Sequence, residues 1–138
     1  MSTPTSSPQE VFGAFEALLG QWQLPALAQA VRQARADVEE ALGYVDVSQR
    51  EHIVLVASEL VTNAVMHAAT DISVIVEQWQ NAIRIIVEDA SSVLPTLSEV
   101  SFDADRGRGL HIVEQLCDMW GVEETTSGKK VWASFARS

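Results

Sequence analysis

Residues 58–67 (SELVTNAVMH) bring together three side-chain types whose spacing could serve chemistry. If this run is helical, Glu59, Asn63 and His67 follow one another at steps of four residues, so a carboxylate, an amide and an imidazole share one stripe. A carboxylate can accept a proton from an attacking hydroxyl, and an amide oxygen can bind Mg²⁺ beside phosphates. The run therefore predicts a binding site on a rigid helix.

A helix of this kind needs an apolar side for burial. Such a side is supplied by small residues on the opposite face, namely Val54, Ala57, Val61, Ala64, Val65 and Ala68. The spacing predicts a helix from about Arg50 to Ala69, packed on a sheet with its polar stripe turned away from the core.

Two strands are predicted after this helix, at Ile72–Trp79 and Ile83–Asp89, with Gln80-Asn81 as the turn between them. Counting by two along the second strand places Asp89 on the same face as Ile83, Ile85 and Val87. An acidic side chain that ends an apolar face is a second candidate functional group, although capping of the following turn is an alternative role.

A third candidate region is the start of a helix predicted from Leu110 to Trp120. Gly107 and Gly109 precede it and follow a long predicted loop, residues 91–106. Free backbone N–H groups at a helix start favour phosphate, and Arg106 and Arg108 add positive charge. Two glycines before a helix also fit an ordinary flexible turn, so this signal is weak on its own.

The remaining pattern predicts helices on one face of a mixed, mostly antiparallel sheet, an α+β two-layer sandwich. Two more helices are predicted, at Val11–Leu19 ended by Gly20 and from Pro25 to Leu42 ended by Gly43, and Gly121 is predicted to cap the last helix. The further strands are a brief one at Trp22–Leu24 and a hairpin of Val122–Thr126 and Val131–Phe135 turned at Ser127-Gly128. In this prediction residues 1–10 are a disordered tail, residues 11–20 an amphipathic helical extension, and residues 21–138 the single domain.

Composition excludes several classes of function. With 138 residues and a formal net charge of -10, the chain fits one acidic domain, and a general nucleic-acid binder or an anionic-membrane binder is not expected. A basic protein partner suits this charge. The lone cysteine, Cys117, predicts a reducing compartment and a buried structural thiol, and scattered His residues do not suit zinc. No run reaches the ~20 apolar residues of a membrane span, so the cytoplasm is the expected location.

These motifs together resemble a known superfamily. Residues 58–67 resemble the N-box of the GHKL ATPases, and residues 106–113 (RGRGLHIV), 120–122 (WGV) and 128–132 (GKKVW) are similar to the anti-sigma factor serine kinases within it. The resemblance covers about Trp22 to the end of the chain. It implies the Bergerat-type fold, ATP and Mg²⁺ as cofactors, and a possible homodimer.

The resemblance also implies roles for individual residues. Asn63 would hold Mg²⁺ between the phosphates, Glu59 would take the proton from a substrate serine, and Asp89 would accept a hydrogen bond from the adenine amino group. The predicted nucleotide contacts are completed by His67, Arg106, Gly107, Arg108, Gly109 and Leu110. The implied substrate is a serine on a STAS-type anti-anti-sigma protein, and the competing partner is a sigma factor.

The chain departs from the family pattern in two places. The first glycine box, usually D-x-G-x-G, is replaced by residues 89–93 (DASSV), and Lys130 replaces a threonine usually found before the last strand. These changes leave a rival interpretation open. In it the chain is a non-catalytic module that binds a sigma factor or similar regulator, and its nucleotide site is degenerate. A detached histidine-kinase-like ATP-binding domain ranks last, because no long helical hairpin carries an acceptor His.

Overall fold

The computed structural model describes residues 6–67, 70–91 and 111–137. In this part of the chain five strands form one sheet in the order β1-β2-β3-β5-β4, and every neighbouring pair is antiparallel. The strands are β1 (Phe15–Leu24), β2 (Ile72–Trp79), β3 (Ala82–Asp89), β4 (Met119–Thr125) and β5 (Gly128–Ala136). The predicted α+β fold with a mostly antiparallel sheet is confirmed.

Two long helices, α2 (Gln29–Ala41) and α3 (Val47–His67), form a layer on one face of this sheet. The apolar periodicity of the sequence explains both. Ala30, Ala34 and Val38 are buried one turn apart along α2, and Val54, Ala57, Val61 and Ala64 are buried along α3. Residues 111–116 are also helical, and Val113 joins the same core. The layer holds α3 against β2, β3 and β5, where its half-buried polar residues lie at the edge of the core.

The helix predicted at Val11–Leu19 is wrong. A five-residue helix, α1 (Pro8–Phe12), ends at Gly13 with φ +80, and β1 follows and pairs with β2. Gly20 therefore lies within a strand, where it leaves room for the indole of Trp22, because a Cβ atom there would lie 2.2 Å from that ring. Cross-strand pairing prevailed over a local helical spacing of apolar residues.

The same correction moves the expected boundaries. The sheet begins at Phe15, upstream of the predicted domain start at residue 21, and no helical extension covers residues 11–20. The predicted tail of residues 1–10 is wrong at its C-terminal end, since Pro8 to Glu10 are part of α1 and the Ser7 hydroxyl accepts a hydrogen bond from the Glu10 backbone N–H.

The predicted helix at Leu110–Trp120 is too long at its C-terminal end. Helical structure ends at residue 116, and Trp120 and Gly121 pair with β5 as part of β4, so Gly121 is no helix cap. Asp118 makes the change of direction: its backbone N–H donates to Ser134 O at 2.9 Å, and its carboxylate accepts from the Ala136 N–H at 2.7 Å. These hydrogen bonds tie the chain to β5 before another helical turn can form.

The sheet face opposite α2 and α3 carries a second, aromatic cluster. Its buried members are Phe12, Trp79, Ala82, Ile86 and Trp132. The guanidinium of Arg84 lies 5.6 to 5.8 Å from the ring centres of Phe12, Trp79 and Trp132, and its Nε donates to Glu77 at 3.0 Å. Cation–π contacts of this kind fasten α1 to the back of the sheet.

Candidate functional site

The predicted polar stripe of α3 exists in the folded chain. Glu59, Asn63 and His67 are all half-buried, while the intervening apolar face enters the core. Two hydroxyls near the stripe are satisfied within the helix, because Ser58 donates to Leu55 O at 2.9 Å and Thr62 donates to Ser58 O at 2.7 Å. These hydroxyls therefore do not compete for the carboxylate and amide of the stripe.

The start of α3 is fastened by a side-chain cap. The Asp46 carboxylate accepts hydrogen bonds from the backbone N–H groups of Ser48 at 3.1 Å and Gln49 at 3.3 Å. Such a cap satisfies N–H groups that have no partner in the first helical turn. With its N-terminal end capped and its apolar face buried, α3 presents the stripe from a rigid element.

Burial changes the acidity of Glu59. Partial removal from water raises the pKa of its carboxyl above the ordinary value, and the positive charge of Arg35 on α2 opposes this only in part. Within the described residues no side chain forms a hydrogen bond or ion pair with this carboxylate. A carboxylate with a raised pKa and no close partner is a better proton acceptor than an ordinary surface glutamate.

Asp89 is in a different environment. It is only 5% exposed, and period-two counting correctly placed it on the inner face of β3 with Ile85 and Val87. Its Oδ1 accepts a hydrogen bond from the Ser91 backbone N–H at 2.7 Å. Both of its oxygens lie 3.0 Å from the Nζ atom of Lys129, which has no exposed surface.

Lys129 is the site residue that the sequence pattern did not reveal. Its neighbour Lys130 departs from the family pattern, but Lys130 is half-buried and pairs in register with Glu88, whereas Lys129 lies directly opposite Asp89. A signal was available, because counting back by two from Val131 in the last strand places position 129 on the inner face. A lysine was not expected there, since lysines are rarely buried without a partner.

The approach of β5 to the end of β3 is close at this point. A Cβ atom on Gly128 would lie 1.9 Å from the carbonyl oxygen of Asp89 and 2.5 Å from Cα of Ala90. Only glycine fits such a distance between two backbones. Gly128 thus lets the two strands meet where Lys129 reaches the carboxylate.

The predicted phosphate-binding residues lie outside the described residues. These are Arg106, Gly107, Arg108, Gly109 and Leu110, together with most of the loop predicted at 91–106. Their contact with Glu59 and Asn63 therefore stays a prediction.

Cys117 is buried in the core as predicted. Burial, with a smaller contribution from the charge of Asp118, raises the pKa of its thiol to about 11. A thiol that stays protonated at neutral pH is a poor nucleophile, which fits a packing role for Cys117.

Residues 6–67, 70–91 and 111–137 contain no group of three or more His, Cys, Asp and Glu side chains arranged to hold a metal ion. Over the same ranges, every helix is too short or too polar to cross a bilayer.

Comparison with known proteins adds a family to this geometry. Residues 24–135 match the family model of the histidine kinase-like ATPase domain. A search of curated proteins found no match. Among solved structures, the chain is similar to the RsbU and RsbW domains of Rv1364c from Mycobacterium tuberculosis, with a TM-score of 0.62 and 23% identity. The match covers 86% of this chain and 32% of that chain, so this chain spans about a third of its length. At this identity the likeness shows the shared fold.

Proposed function

Because the chain belongs to the histidine kinase-like ATPase domain family, we propose that it is an ATP-dependent serine/threonine kinase of the anti-sigma type. In this proposal it phosphorylates a serine on a STAS-type anti-anti-sigma protein and alternates between that protein and a sigma factor. The name of its structural neighbour, which includes an RsbW domain, supports this class. The cytoplasm is the location that this role requires.

The Glu59–Asn63 pair on α3 is the single observation that carries the proposal. Both side chains are half-buried one turn apart on a capped helix. The amide oxygen of Asn63 is a hard ligand of the kind that Mg²⁺ accepts beside phosphate oxygens. The described chain offers no cluster of acidic metal ligands, so a Mg²⁺ ion bound to Asn63 would take its other ligands from phosphates and water.

Glu59 has the properties of a general base. Its raised pKa strengthens its attraction for a proton, and its partial exposure leaves the carboxylate accessible to a substrate hydroxyl. Bound ATP would supply the phosphoryl group, and Glu59 would accept the proton that leaves the serine hydroxyl. His67 lies one turn beyond Asn63 and would extend the nucleotide-facing stripe.

A phosphoryl-transfer assay tests the base. Purified protein, Mg²⁺ and γ-labelled ATP are mixed with a panel of STAS-type proteins, and label on serine is measured. Glu59→Gln should lower the rate by about 100-fold or more, as loss of a general base does. Glu51→Gln is the matched control, because Glu51 is exposed on the same helix and should leave the rate unchanged. Transfer at the wild-type rate by the Glu59 variant rules out this role.

A second candidate function is supported by the other end of the site. Asp89, the expected adenine contact, is already bound to Lys129, and Ala90 and Ser91 stand at the beginning of the altered glycine box. These residues fit adenine poorly, although the α3 stripe fits Mg²⁺ and phosphates. The alternative is therefore a sigma-factor or regulator binding module without kinase activity, whose net charge of -10 suits a basic partner surface.

Calorimetry separates the two candidates. Titration with ATP and with ADP, each with and without Mg²⁺, should show Mg²⁺-dependent binding if the kinase proposal is right. Absence of heat at millimolar nucleotide, together with retained binding of a sigma factor, would favour the module.

A further inference from the structure

A buried ion pair occupies the place where the base of a nucleotide would be recognised. Lys129 and Asp89 are directly opposite each other on β5 and β3, and both side chains are almost wholly removed from water. Nζ of Lys129 lies 3.0 Å from each carboxylate oxygen. The pair faces the helical layer, on the same side as Val87 and Val131.

The hydrogen-bonding capacity of this carboxylate is largely used. Lys129 donates to both oxygens, and the Ser91 N–H donates to Oδ1 at 2.7 Å. A carboxylate has about four acceptor positions, so three of them are taken. One acceptor position remains, and an adenine amino group that used it would donate to a carboxylate whose charge the adjacent ammonium already neutralises, so that hydrogen bond would add little affinity.

The ammonium group of Lys129 also changes which ligand atoms can form a hydrogen bond at this position. Lysine has N–H donors and no acceptor, so it cannot receive a hydrogen bond from an exocyclic amino group. A neutral residue opposite Asp89 would leave the carboxylate open. Lys129 instead presents a donor to a donor.

We propose that Lys129 is the residue that determines base specificity, and that it abolishes recognition of the purine 6-amino group. The inference rests on the proposed function in one respect, namely that Asp89 marks the base end of a nucleotide site. Any purine nucleoside triphosphate that the chain binds is then held through its phosphates, ring and Mg²⁺, and adenine is not distinguished from the unsubstituted purine.

The test compares two ligands that differ only in that amino group. Wild-type protein is titrated by calorimetry with Mg²⁺ and ATP, and with Mg²⁺ and purine riboside triphosphate. Recognition of the amino group by a free buried carboxylate would make ATP bind about tenfold or more tightly. We expect the two dissociation constants to agree within about threefold, a ratio below the value of one ordinary hydrogen bond.

Two substitutions locate the effect. Lys129→Thr should free Asp89 and give ATP a preference of about tenfold or more over purine riboside triphosphate. Lys130→Val is the matched control, since Lys130 lies next along β5 and pairs with Glu88 instead of Asp89, and valine has the shape of threonine without its hydroxyl. The ligand ratio of this variant should stay that of the wild type. If Lys129→Thr does not fold, Asp89→Asn/Lys129→Thr supplies a neutral acceptor without an unpaired buried charge.

The outcomes distinguish this inference from the proposed function. A wild-type preference for ATP of about tenfold or more overturns the inference and leaves the kinase proposal standing. Failure of the wild type to bind either ligand, with ATP binding gained by Lys129→Thr or by the double variant, supports the inference and overturns the kinase proposal. If neither the wild type nor these variants bind a nucleotide, both fall. A purely structural Lys129 would change the melting temperature and leave the ligand ratio unaltered.

Discussion

Glu59 on α3 and Asp89 at the end of β3 are both acidic side chains on the helical side of the sheet, and their surroundings differ sharply. Glu59 is half-buried, has a raised pKa and has no hydrogen-bonding side chain among the described residues. Asp89 is fully buried, and Lys129 and the Ser91 backbone N–H bind it. Within the described part of the chain, one carboxylate therefore has no side-chain partner, and the other is bound within the fold.

The difference shows why residue type and position are not enough to identify a working site. Both acids match the same family pattern, but Asp89 has a lysine opposite it on the neighbouring strand and Glu59 has no such partner among the described residues. The neighbouring side chains decide whether a carboxylate can still accept a ligand. The two parts of the expected nucleotide site therefore differ, because the polar stripe of α3 has half-buried side chains while Asp89 is held in an ion pair with Lys129. Stability measurements on variants of the two acids and their neighbours test this contrast.

The largest effect is expected from breaking the ion pair. Lys129→Met removes the ammonium and leaves the Asp89 carboxylate buried without its partner, so the free energy of unfolding should fall by about 3–5 kcal/mol. Chemical denaturation measures this loss. Asp89→Asn/Lys129→Met should recover most of it, because both charges are then gone and Asn can still accept from the Ser91 N–H.

The exposed pair of Glu16 and Arg137 serves as the comparison for that measurement. Its atoms approach to 2.7 Å, closer than in the buried pair, but water screens both groups. Glu16→Gln should therefore change stability far less than Lys129→Met. Equal losses from the two substitutions would show that burial does not set the strength of the Asp89–Lys129 pair.

A smaller effect is expected at the strand contact that supports the pair. Gly128→Ala would place a methyl group against the backbone of Asp89 and Ala90, and overpacking of this kind costs about 1–3 kcal/mol. Gly43→Ala is the control, since the nearest atom to its added Cβ lies at an ordinary 3.5 Å. Thermal melting of the two variants should separate them clearly, and equal melting temperatures would show that β5 does not press on β3 in solution.

The smallest effect concerns Glu59 and depends on pH. A carboxyl whose pKa is higher in the folded than in the unfolded state binds its proton more tightly when folded, so stability falls as pH rises from the unfolded pKa, about 4.3, through the raised folded value. Glu59→Gln removes the titrating carboxyl and with it this fall in stability. It should raise the melting temperature at neutral pH and leave it unchanged well below about pH 4.

The pH control uses another glutamate of the same helix. Glu51→Gln should show no such pH-dependent gain, because Glu51 is exposed to water. A gain of the same size in both variants would indicate a general reduction of the negative charge of the chain instead of relief of a desolvated carboxylate. If Glu59→Gln stabilises the protein and abolishes phosphoryl transfer, Glu59 lowers the stability of the fold but is needed for activity.

The α3 stripe, the α2 stripe and the β2–β3 hairpin were predicted well from the sequence. In each of these, neighbours a few residues apart determine which face is apolar, and that information is local. The same local logic failed at Val11–Leu19, where apolar residues at helical spacing form α1 and then β1. It failed again at Trp120 and Gly121, which pair with β5.

The candidate site was predicted in the same uneven way. Glu59, Asn63 and Asp89 could be proposed from the sequence because their spacing along one element marks them as anomalies. Lys129 was missed because its importance comes from Asp89, a residue 40 positions away. The residue pattern of one strand does not show which side chain of the neighbouring strand will lie opposite a given residue.

The amino-acid sequence by itself determined the apolar faces of the main helices and central strands, the polar row on α3 and the family, because each depends on residues close together in the chain. Only the tertiary structure decided that residues 15–24 form a strand and that Lys129 lies against Asp89. Strand pairing selects partners far apart in sequence, and its free energy arises only when the whole sheet is assembled.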